Sequence, residues 1–218
     1  MKKSKLTLAS IIFIIILILW PVLAFFSLPT GSNYISQIVS IKNDPTLHIL
    51  NFIVAFLIAP AIIFMLYEFY KTLSNNTWSL LSKTGFVLYG IYFIIISISY
   101  GSQFLYLPFI LDSSNKTEIL RWYFYNGDSL AILLNQTGYL IWSIATLLIF
   151  TQFILKNSIL FFSIKILTLS ALLQIIATLG LYFDKSNLTS LSFYSGIFLL
   201  PASILILLYC LKNKQLTI

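Results

Sequence analysis

Tyr89, Tyr92, Ser99, Gln103 and Tyr106 recur at intervals of 3, 7, 4 and 3 residues, the spacing of one face of an α-helix. The same period links Asn135, Tyr139, Trp142 and Thr146, with Gln136 beside the first, and again Ala171, Gln174, Thr178 and Tyr182. His48 and Asn51, three residues apart, open a further apolar run. These stripes are built from amides, hydroxyls and aromatic rings. Such groups exchange hydrogen bonds, and rings attract cationic or flat partners. Without a charge among them, the chemistry they offer is recognition.

The residues that catalysis needs are scarce. One histidine in the chain cannot supply a His-based metal cage or bis-His haem ligation, and no HExxH occurs. The lone cysteine, Cys210, excludes an internal disulfide, a CxxC pair and a thiolate metal site. A serine nucleophile needs a base within reach, and the only histidine, His48, lies at the mouth of its run. No pair of acids falls mid-run for an aspartyl protease or for proton-coupled transport, and no lysine falls there for a Schiff base. The chain is therefore expected to be no enzyme and to carry no metal or cofactor.

The elements that hold these stripes are dictated by composition. Of 218 residues, 59% are hydrophobic and only 9% charged, against roughly 25% charged in a soluble domain. A water-facing surface cannot be made from this. Six stretches reach the roughly 20 apolar residues that span a bilayer: 6–26, 47–70, 84–110, 129–155, 159–183 and 190–211. Hydrocarbon offers the backbone no hydrogen-bond partner, so each must be a helix. The expected fold is all-α, a polytopic bundle of six transmembrane helices forming a single domain over residues 1–218. The first run, Leu6–Phe26, exceeds the 7–15 residues of a signal-peptide core and lacks a clean cleavage site. It reads as a retained helix.

Cationic residues favour cytoplasmic loops. With the N-terminus inside, nine bases (Lys2, Lys3, Lys5, Lys71, Lys83, Lys156, Lys165, Lys212, Lys214) lie inside and four (Lys42, Lys116, Arg121, Lys185) outside. Both termini are thus expected on the cytoplasmic side of a plasma or bacterial inner membrane. The net charge of +7 is spread singly or in pairs between apolar runs, which does not make a nucleic-acid surface. Glu68 is expected to pair with Lys71 at i+3. The two long external loops are 27–46 and 111–128. In the second, Thr117 with Glu118 is expected to cap a short helix through "EILRWYFYN" that ends at Gly127; its rings suit the membrane interface.

Along the third run, Gln103 stands about 28 Å from the inner end at 1.5 Å per residue, and Asn135 about 9 Å below the outer edge. The polar groups should gather in the outer half of the membrane. Two arrangements fit. In one, Gln103, Asn135, Gln136 and Gln174 hydrogen-bond one another across helices. In the other, Tyr92, Ser99, Gln103, Tyr106, Asn135, Gln136, Tyr139, Trp142, Gln174 and Thr178 line an outward pocket, with His48 and Asn51 at its mouth. Such a pocket would bind, sense or help to move a small amphipathic or lipid-like ligand. The alternative class is an accessory or structural subunit of a membrane complex or transporter, joined in a homo- or hetero-oligomer through its helix faces.

The segments "NDPTLHI" (Asn43–Ile49), "MLYEFYKTLS" (Met65–Ser74) and "TGYLIWSIATLLIF" (Thr137–Phe150), with a third helix bearing tyrosine and glutamine, together resemble small six-helix integral membrane proteins of low-GC bacteria. The resemblance implies the same architecture over most of the chain and brings no activity with it.

Overall fold

The computed structural model of the chain describes residues 2–75, 77–113, 115–154 and 159–212. Lys156, Lys214 and the Leu155 end of the fourth run lie outside the described residues. Within them the protein is all-helical. Six helices are long and apolar enough to cross a membrane: Ser4–Phe26, Thr46–Leu73, Leu80–Ile110, Leu130–Phe153, Leu160–Tyr182 and Asn187–Lys212. These match the six apolar runs to within four residues at each described end. Many of their side chains are exposed hydrocarbon, among them Ile15, Val87, Ile94 and Leu208, as a protein solvated by lipid requires.

In chain order the helices are α1 (Lys2–Phe26), α2 (Tyr34–Asn43), α3 (Thr46–Leu73), α4 (Leu80–Gly101), α5 (Leu107–Ile110), α6 (Lys116–Trp122), α7 (Leu130–Phe150), α8 (Ile159–Tyr182), α9 (Ser186–Thr189) and α10 (Leu191–Lys212). Pro21, Pro60 and Pro201 sit inside α1, α3 and α10, as spanning helices tolerate. Part of the first long loop is helical. Asn33 accepts from the Ser36 N–H while the Ser36 hydroxyl accepts from the Asn33 N–H, a reciprocal cap that starts α2. In the second loop the cap is Asn115, not Thr117: its side chain accepts from the Glu118 N–H. That helix stops at Trp122, because Tyr123 turns to extended backbone at φ −69°, ψ 113°, five residues short of Gly127.

The helices contribute to two compact units. One comprises the described residues of Met1–Ile15, Ala61–Tyr92 and Tyr139–Ile218. Here α3, α4 and α7 meet through aromatic rings: Phe69 stacks on Phe150 at 5.5 Å, and Tyr70 packs on Trp78 and Phe86. The Tyr70 hydroxyl donates to the Thr77 carbonyl at 2.7 Å, closing the α3–α4 turn. Gly85 lets α4 approach α7, since a Cβ there would lie 2.5 Å from Ile149. Helices α8 and α10 pair through Ser170, whose hydroxyl donates to the Ser195 carbonyl at 2.8 Å. Glu68 is buried and meets Lys71 Nζ at 3.3 Å, the pairing expected from their i,i+3 spacing.

The other unit comprises Ile16–Pro60 and Phe93–Gly138. Its apolar centre joins Ile41 of α2 to Leu107, Ile110, Leu111, Ile119 and Tyr123. Here α4 meets α7 through the Ser99 hydroxyl, which donates to the Ala131 carbonyl at 2.7 Å. Gly138 admits Ile96 where a Cβ would sit 2.8 Å away.

Candidate functional site

Helix α4 does not run straight into α5. Ser102–Tyr106 form a π-helical turn, and the Leu107 N–H reaches back five residues to the Ser102 carbonyl. Pro108 supplies a cause. In α geometry its ring would press on the carbonyl four residues earlier, that of Phe104, and it has no N–H to bond there. Widening the turn relieves both. Single π turns are frequent at functional sites, and this one changes which side chains share a face. Ser99 and Gln103 remain fully buried, whereas Tyr106 is carried out to 38% exposure.

Gln103 fastens the segment after α6. Its Nε2 donates to the Trp122 carbonyl at 2.6 Å and to the Ser102 hydroxyl at 2.9 Å, while its Oε1 accepts from the Phe124 N–H at 3.2 Å. One amide thus satisfies two backbone groups that no helix serves. The rings beyond it pack as a shell: Phe52 lies 5.1 Å from Phe124 and 6.0 Å from Tyr100, and His48 lies 4.8 Å from Phe52. His48 is buried beside the Gln103 backbone, but neither ring nitrogen completes a hydrogen bond. The Tyr123 hydroxyl donates to Gln37 Oε1 of α2 at 2.9 Å. Burial pushes the Tyr123 and Tyr125 hydroxyls above the ordinary phenol range, with a hydrogen bond to Ser27 drawing Tyr125 part of the way back. Both are neutral polar groups at physiological pH.

An open groove of about 450 Å³ lies between the end of α4 and α6. It is lined by Ser97, Ile98, Gly101, Ser102, Leu105 and Tyr106 on one side and by Glu118, Arg121 and Trp122 on the other. Ser97, Gly101 and Leu105 stand four residues apart. Gly101 forms the open floor, since a Cβ built there meets nothing within 4 Å. Glu118 organises the polar wall: its Oε1 accepts from the Tyr106 hydroxyl at 3.1 Å and the Trp122 indole at 3.0 Å. Those two rings meet edge to face at 5.7 Å. Arg121 is held loosely, 3.9 Å from Glu118 Oε2, with 61% of its side chain exposed. The groove is therefore amphipathic, with hydrocarbon from Ile98 and Leu105 and a guanidinium at the α6 wall.

The residues singled out in the sequence divide between the two units. His48, Asn51, Ser99, Gln103, Tyr106, Asn135 and Gln136 belong to the unit that holds the groove, and Tyr106 lines it. The others belong to the companion unit. There Tyr92 and Tyr139 pair ring to ring at 5.7 Å, Gln174 Oε1 accepts from the Ser192 hydroxyl at 2.9 Å, and Thr178 bonds back to the Gln174 carbonyl. Trp142 is buried with its indole N–H unpartnered. Asn51 and Asn135 are also buried, each with an unpartnered Oδ1.

Of the groove's lining, sequence reasoning named Tyr106 alone and missed Ser97, Ile98, Gly101, Ser102, Leu105, Glu118, Arg121 and Trp122. The i, i+4 spacing of Ser97, Gly101 and Leu105 was the available signal, on a face adjoining the chosen stripe. Among the described residues no group of three or more His, Cys, Asp or Glu gathers to hold a metal.

Six apolar spanning helices make this a multi-pass membrane protein. Compared with known proteins, the chain matches no family model, no curated protein and no solved structure.

Proposed function

We propose that this protein binds a small amphipathic, lipid-like molecule in the groove beside the π-helical turn, and senses it or helps to move it without catalysing a reaction. The observation that carries the reading is the groove's lining. Ile98 and Leu105 present hydrocarbon on a spanning helix, while Tyr106, Trp122, Glu118 and Arg121 form a polar, ring-bearing wall at its end. Tyrosine and tryptophan favour the membrane–water boundary, so an occupant there would keep its tail in lipid and its head against α6. The excess of lysine near the termini supports a protein with both termini in the cytoplasm and the groove facing outward from a plasma or bacterial inner membrane.

The test is a thermal-shift screen of amphiphiles on purified protein in detergent, run beside Gly101→Leu. A Cβ there meets nothing within 4 Å, so a leucine is expected to extend into the groove, and the variant's unliganded melting temperature checks that the fold is kept. The reading expects at least one amphiphile to stabilise the native protein and to lose that effect on the variant. Equal stabilisation of both proteins would reject it.

A further inference from the structure

We infer that the groove's occupant is a phospholipid of the bilayer, gripped at its phosphate by Arg121. The inference rests on the lipid-binding reading above and names the head group.

The argument is one of remaining hydrogen-bond capacity. Glu118 Oε1 already accepts from Tyr106 and Trp122. The Ser102 hydroxyl donates to the Ser99 carbonyl at 2.7 Å and accepts from Gln103. Two donors remain in the groove, beside a Glu118 Oε2 whose nearest cation is Arg121 at 3.9 Å. Arg121 makes a single distant contact with Glu118 and is otherwise exposed, and the Ser97 hydroxyl has no partner. A guanidinium presents several N–H groups in a planar fork that fits phosphate oxygens in pairs. Ser97 lies one turn before Gly101 along α4, about 6 Å deeper; its buried hydroxyl would have to rotate towards the groove to donate to an ester or glycerol oxygen below the phosphate. Trp122 and Tyr106 set the mouth at the depth of lipid head groups, and that level of a bilayer supplies phosphate already attached to acyl chains.

Native mass spectrometry of the detergent-solubilised protein tests this with phosphatidylglycerol, diacylglycerol of the same chains, and glycerol phosphate. Native protein should prefer phosphatidylglycerol to diacylglycerol by about tenfold, the worth of one charge-assisted hydrogen bond, and should ignore glycerol phosphate. Arg121→Gln should erase that preference while still binding diacylglycerol. Lys185→Gln, which removes the same charge from a residue that does not line the groove, should retain it. Equal binding of the two lipids by native protein, or equal behaviour of the two charge variants, overturns the phosphate assignment and leaves the groove standing. Glycerol phosphate binding as well as the lipid would make this a free-phosphate site and overturn the lipid. If Gly101→Leu binds both lipids as native protein does, the groove reading itself fails.

Discussion

Gln103 was expected either to share hydrogen bonds with other buried amides or to line a pocket. Its three side-chain hydrogen bonds go to the adjacent serine, to Trp122 at the end of α6 and to Phe124 beyond it, and none goes to another side-chain amide. Replacing it with leucine would leave the Trp122 carbonyl and the Phe124 N–H unpaired, at a cost of about 2 kcal/mol. Thermal unfolding in detergent should show Gln103→Leu clearly destabilised. Limited proteolysis of the same variant should show the segment after α6 newly cleavable. Thr168 predicts the opposite sign. Its hydroxyl is buried on α8 without a partner, so Thr168→Val, close in shape, should leave stability unchanged or raise it by about 1 kcal/mol. A substantial loss of stability in that variant would show that the hydroxyl has a partner.

The spanning helices were legible because hydrophobic runs near 20 residues admit one interpretation in lipid. What happens within a helix was less so. A period of 3.6 residues extrapolates correctly from Tyr89 to Gln103 and then fails at Tyr106, because the π turn inserts itself where Pro108 crowds the Phe104 carbonyl. Helix α2 is not legible in the sequence, since its reciprocal cap depends on Asn33 and Ser36 in a polar stretch without apolar periodicity. Glycines separate the packed faces from the open ones. Gly85→Ala would press on Ile149 and on the Ala145 carbonyl and should destabilise. Gly90→Ala and Gly101→Ala meet open space and should be neutral or stabilising by up to about 1 kcal/mol. Comparative melting of the three variants checks this, and a common effect on all three would contradict the packing described.

For the molecule as a whole, charge placement carries the expectation of sidedness. Single cysteines at Lys116 and Lys71, in a Cys210→Ser background, should react with a membrane-impermeant maleimide from opposite faces of intact cells. Lys116→Cys should label from outside and Lys71→Cys only after permeabilisation. Labelling in the reverse order would put the groove on the cytoplasmic side. The groove itself was not foreseen, because two of its walls come from segments 20 residues apart and its charged members looked like ordinary interfacial residues. The most direct test of the central claim is an experimental structure of the protein in a lipid nanodisc. The account predicts elongated density along Ile98 and Leu105, with its polar end at Arg121. A groove filled by the protein's own side chains, or empty amid ordered lipid elsewhere, would contradict it.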